Sequence, residues 1–84
     1  MQNLYGELKM SKEYKTKDLA EAAALIATGQ QLQRIVREGS ICFFIFTDKI
    51  YCEKVSNEFF FGNLQVNARD YHESMNRLKN RIFR

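Results

Sequence analysis

Ile41-Cys42-Phe43-Phe44-Ile45-Phe46 is an uninterrupted run of six apolar residues, and the most aromatic run of that length in the chain. Six residues is strand length, and its β-branched and aromatic side chains suit a pleated strand better than a helix. Glu38-Gly39-Ser40 before the run and Thr47-Asp48 after it are turn and cap residues that close both ends. A strand apolar at every position needs cover on both faces. The run is therefore expected at the middle of a small sheet with helices packed on it.

The preceding stretch, Gln30 to Arg37, reads as a second strand joined to the first by a tight turn. With Glu38-Gly39 as the two loop residues, Val36 pairs with Ile41, Arg34 with Phe43 and Leu32 with Ile45. One face of that sheet carries Leu32, Arg34, Val36, Ile41, Phe43 and Ile45, and is the better core. The other mixes Cys42, Phe44 and Phe46 with Gln31, Gln33, Ile35 and Arg37. Covered by a helix, this second face is packing; uncovered, it is a binding surface.

Further out, Lys12 to Thr16 alternates as a short edge strand, behind a leader of uncertain structure over residues 1–11. Asp18 followed by Glu21 has capping-box spacing and starts a helix through Thr28, stopped by Gly29. Glu21 is the only polar side chain inside that helix, so it is expected to be buried on more than one side. The helix fits either under the rest of the domain or against a second copy; in the second case Ala20, Ala23, Ala24 and Ala27, which allow close approach, form the interface of a homodimer. Thr47 is the expected cap of a helix from Asp48 to about Phe60, with Ile50, Tyr51, Val55 and Phe59 on its apolar side. Leu64-Gln65-Val66 is a brief extended piece suited to a fourth edge strand. Asn67 with Asp70 opens a last helix whose Ala68, Tyr71, Met75, Leu78 and Ile82 recur at spacings of three and four. The expected fold is a single compact α+β domain over residues 12–84. Three helices pack on a mainly antiparallel sheet of three or four strands, in the order β-α-β-β-α-(β)-α.

Composition narrows the function classes. With 84 residues, 45% of them hydrophobic and 27% charged, the chain is too apolar to be disordered. No segment approaches the roughly 18 consecutive apolar residues of a membrane helix, and a cytoplasmic protein is expected. Cys42 and Cys52 form no C-x-x-C pair, and one histidine completes no zinc set, so both thiols are expected to be reduced and structural. The chain has no nucleophile elbow, Walker loop or dinucleotide glycine pattern. Its carboxylates are scattered beside lysines and arginines. Cys52 with His72 is the one nucleophile-base combination, and nothing else supports it. A protein that is not an enzyme, with no cofactor, metal or small-molecule substrate, is the expectation.

The charge layout is more informative. Residues 67–84 carry five basic and two acidic side chains, which accounts for the whole net charge of +3. At 100° per residue, Arg69, Arg77, Arg81 and Arg84 share one side of the last helix with Asn76 and Asn80, opposite the apolar seam. Arginine and asparagine suit phosphates and base edges, which points to nucleic acid. Glu73 interrupts this face and is spaced to pair with Arg77, and a solvated helix with a basic end is the plainer reading. The element order is also that of ferredoxin-like RNA-recognition domains, although Gly39 to Phe46 matches their aromatic motif poorly.

Three stretches carry a family resemblance: Tyr14-Lys15-Thr16-Lys17-Asp18-Leu19; Phe44-Ile45-Phe46-Thr47-Asp48; and Val66-Asn67-Ala68-Arg69-Asp70-Tyr71 with Leu78-Lys79-Asn80-Arg81-Ile82. Over about Tyr14 to Phe83 the chain resembles a family of small bacterial and phage proteins known as a domain of unknown function. The resemblance implies a compact mixed domain of phage or mobile-element origin, and brings no catalytic residues. Two functional readings stand. One is a non-enzymatic binding module that takes nucleic acid through the basic last helix. The other is a self-associating structural or regulatory protein-interaction domain.

Overall fold

The computed structural model describes residues 12–83. The leader expected over residues 1–11 lies outside them, as does Arg84. The elements are β1 (Tyr14–Thr16), α1 (Leu19–Ala27), β2 (Leu32–Glu38), β3 (Ile41–Phe46), α2 (Lys49–Phe60) and α3 (Ala68–Ile82). The fold is α+β, with an antiparallel sheet in the order β1-β3-β2. The all-apolar strand is its centre.

Local chemistry sets the helix starts. Asp18, Asp48 and Asn67 each precede a helix, and each side chain accepts from the backbone N–H three residues on. Asp48, one residue past the expected Thr47, caps α2 because its carboxylate reaches the Tyr51 N–H. Gly29 takes a φ of 99° just after α1, a conformation that side-chain-bearing residues rarely adopt. The extended piece at Leu64–Val66 joins no strand among the described residues. The Asn63 and Leu64 N–H groups turn back onto the Glu58 carbonyl at 2.9 and 3.1 Å, so this segment closes α2.

The hairpin corrects the expected register. Its loop is Gly39-Ser40, so Glu38 pairs with Ile41 and Val36 with Phe43. A bulge between Leu32 and Arg34 then sets Leu32 opposite Phe46. Pairing has moved by two positions along β3, which preserves the faces of the regular part, but the extra residue carries Leu32 across the sheet. Leu32 thus joins Ile35, Cys42, Phe44 and Phe46, with Tyr14 and Thr16 beside them on β1.

That second face, not the one carrying Ile41 and Phe43, is the main core. Phe44 and Phe46 are 1% and 0% exposed and cluster with Ala22, Ala23 and Leu25 of α1, Cys52 and Val55 of α2, and Leu78 of α3. The opposite face has charged cover. The Lys15 ammonium stands 4.3 Å from the centre of the Phe43 ring. Arg34, paired with Ile45, reaches across β3 to Glu13 at 3.0 Å. Ile45 is buried outside the main cluster, whereas Ile41 remains 42% exposed.

The two faces predict different mutational costs. Phe44→Ala or Phe46→Ala should destabilise by about 3–5 kcal/mol, and Phe43→Ala by about 1–2 kcal/mol. Urea unfolding of the three variants checks this; a Phe43→Ala cost equal to the other two would refute the assignment of the core face.

Candidate nucleic-acid interface

α3 places the residues singled out by the charge layout. Its apolar seam faces inward, with Leu78 buried and Tyr71, Met75 and Ile82 packed against the core. Arg69, Asn76, Arg77, Asn80 and Arg81 are exposed on the remaining surface. Glu73 does not take Arg77. It pairs with Arg69 at 3.4 Å, one turn towards the N-terminus. Among the described residues, Arg77 and Arg81 enter no ion pair. Asn76 lies 3.1 Å from His72 Nε2, so its amide is partly engaged within the helix.

Arg77 and Arg81 stand one turn apart on the wall of a groove of about 460 Å³. Ile26, Leu32 and Leu78 form its apolar part, and Gly29, Gln30 and Gln31 supply the opposite wall. Among the described residues no carboxylate lines it. Gln30 is the site residue that sequence reasoning missed, and Gln31, read there as part of the second sheet face, lies instead beside α3. They belong to the turn between α1 and β2, and only the packing of Leu78 near Leu32 brings that turn beside α3. A second groove, of about 380 Å³, lies at the hairpin end and includes Lys17, Arg37, Cys42, Phe44 and Phe83. Arg37 there donates from Nη2 to the Ile82 carbonyl at 3.0 Å, which satisfies the end of α3 and complements its dipole.

The alanines of α1 are placed differently. Ala23 and Ala24 are buried within the chain, and Ala20 and Ala27 are half-buried. The close approach that alanine permits is used by α3 and α2 of the same molecule. Of the phenylalanines at the end of α2, Phe60 and Phe61 are exposed, and Phe59 packs edge-on against Phe60 at 4.9 Å.

Glu21 is not the reciprocal half of a capping box. It is buried, and its two carboxylate oxygens accept from Tyr14 Oη at 2.5 Å and Thr16 Oγ1 at 2.6 Å. Burial, and after it the hydrogen bond to Glu21, push the Tyr14 phenol up to about 12. Cys52 is enclosed beneath α2, and burial, followed by the nearby Asp48 charge, pushes its thiol up to about 11. That direction opposes the thiolate a nucleophile needs. His72 is exposed on α3, with its ring nitrogen at Asn76.

Among the described residues no group of three or more His, Cys, Asp and Glu side chains is disposed to hold a metal ion. No helix there is long and apolar enough to cross a membrane.

Residues 11–84 match the family model described as domain of unknown function DUF5659. The chain belongs to this family. Its match spans every described element, so the α+β arrangement above is that of a DUF5659 domain. No curated protein and no solved structure matches the chain.

The raised thiol and phenol predict alkaline sensitivity. An unfolded chain gives up the Cys52 proton near 9 and the Tyr14 proton near 10, whereas the folded domain keeps them to about 11 and 12. Stability is then complete below about pH 9 and falls as pH rises towards 12, because the unfolded state binds fewer protons there. Unfolding midpoints measured across that range should decline. Cys52→Ala should remove the lower part of the decline and Tyr14→Phe the upper part.

Proposed function

We propose that this domain is a non-enzymatic binding module that holds nucleic acid along α3 and the adjoining groove. The observation that carries this reading is the pair Arg77 and Arg81, one turn apart in a groove whose lining, among the described residues, has two glutamines and no carboxylate. Arginines in that setting suit phosphate oxygens, and amide side chains can hydrogen-bond to sugar or base edges. Glu73 would otherwise oppose an anion on this face, but it is turned to Arg69. Asn80 extends the polar surface beyond Arg77 and Arg81.

The buried positions of Phe44 and Phe46 argue against stacking bases on the helix-covered side of the sheet. The reading therefore rests on backbone contacts, which are sensitive to salt.

Fluorescence anisotropy with labelled single-stranded RNA, single-stranded DNA and duplex DNA tests it. Binding at low salt should weaken steeply as salt is added. Arg77→Ala with Arg81→Ala should reduce the slope of log affinity against log salt by roughly 1.4–1.8, the loss of two phosphate contacts. Absence of binding to all three probes at low salt would overturn the proposal.

A further inference from the structure

We propose that the outer edge of β2 is a self-association surface, which pairs with the same edge of a second copy to make a two-fold dimer with a continuous six-stranded sheet. Among the described residues β2 is an edge strand of seven residues, whereas the opposite edge, β1, has three. Long edges invite pairing unless proline, charge of one sign or a central bulge guards them. β2 has no proline or lysine, its charged residues Arg34, Arg37 and Glu38 are of both signs, and its irregularity is confined to the Leu32/Arg34 end. Arg34 through Glu38 follow a regular ladder with β3, so the outer side of that stretch is geometrically ready for a second antiparallel partner.

The side chains select one register. A two-fold axis perpendicular to the sheet keeps equivalent faces on the same side and passes through a pair of identical residues. With Arg37 on the axis, two arginines lie opposite each other. With Ile35 on the axis, Arg34 meets Val36 and Glu38 has no cationic partner. With Val36 on the axis, Arg34 lies opposite the partner's Glu38, and Glu38 lies opposite the partner's Arg34. Two opposite-charge pairs then flank a central apolar pair on one face, each a stabilising cross-strand combination. Arg34 already uses Nη1 and Nη2 on Glu13, at 3.0 and 3.2 Å. Because Glu13 lies across β3, on the side away from this edge, the pair with the partner's Glu38 forms when the Arg34 side chain turns from Glu13 towards the outer edge.

The arrangement has a functional consequence that rests on the nucleic-acid reading, although the dimer itself does not. α3 lies over the β2 side of the sheet, held by the Arg37 bond to Ile82 and by the packing of Leu78 and Ile82 into the core that contains Leu32 and Ile35. The axis therefore sets both α3 helices on the same side of the joined sheet. Two grooves, each with Arg77 and Arg81, then face one ligand.

Sedimentation equilibrium of the full chain over micromolar to sub-millimolar concentration tests the dimer. The wild type should self-associate, and Glu38→Arg should raise the dimer dissociation constant about tenfold or more, since both charge pairs become repulsive. Combining Glu38→Arg with Arg34→Glu swaps the charges and should restore association towards the wild-type value. A wild type that stays monomeric throughout, or a dimer indifferent to Glu38→Arg, would overturn the proposal. So would failure of the swap to recover association while circular dichroism shows a folded domain. Anisotropy measured on the Glu38→Arg variant, whose α3 groove is unchanged, keeps a failure of the dimer separate from a failure of nucleic-acid binding.

Discussion

The structure depends on one constraint: β3 is apolar on both faces, and the three helices lie together on one of them. Phe44 and Phe46 take the covered face and bind all three helices into a single cluster. α1 can lie close because Ala22 and Ala23 are at the contact and Leu25 fills the space beside them. A larger residue at either alanine would push α1 away from α3, since interiors are packed with little free volume. The apolar side chains on the other face have no helix among the described residues. They are sheltered by long charged groups whose hydrocarbon stems cross the sheet while their heads remain wet.

A second device holds β1, which is too short to be fixed by its ladder alone. Tyr14 and Thr16 project to the helix side, and both hydroxyls donate to the carboxylate of Glu21 in the first turn of α1. The Thr16 oxygen also accepts from the Asp18 N–H at 3.1 Å, at the junction between strand and helix. A buried carboxylate is costly unless its lone pairs are used, and these contacts satisfy it at the positive end of the helix. Edge strand and first helix are thus joined by side chains as well as by the chain.

Much of the fold is legible in the sequence because its signals are local. The apolar run marks β3, Asp18 and Asn67 mark helix starts within one turn, and the spacing of Tyr71, Met75, Leu78 and Ile82 marks the inner side of α3. The choice of core face is not legible, because it turns on a bulge. Without the extra residue near Gln33, the Phe44 face carries two glutamines and an arginine and looks wet; with it, Leu32 replaces an amide, while Arg37, whose face the bulge leaves unchanged, is taken up by the end of α3. Glu21 misleads for a similar reason. Its spacing from Asp18 is that of a capping box, but Tyr14 and Thr16 approach from another element and take its oxygens. On α3 the arginines are visible by periodicity, but the glutamines facing them come from a turn some fifty residues earlier in the chain.

The arginines are sorted by what each one meets. Arg34 crosses the sheet to Glu13, and its guanidinium holds that carboxyl below the usual range. Arg37 closes the end of α3, and Arg69 draws Glu73 away from the rest of the helix face. Each of these has a local anion or carbonyl that accounts for its position. Arg77 and Arg81 have none among the described residues, although they border a groove with apolar and amide walls. Two guanidiniums side by side repel, and helix stability would be better served by a glutamate one turn before Arg77 that paired with it. Glu73 has that spacing, yet it turns to Arg69. On the nucleic-acid reading proposed above, the anion that enters the groove, rather than a described residue of the fold, supplies the counter-charge.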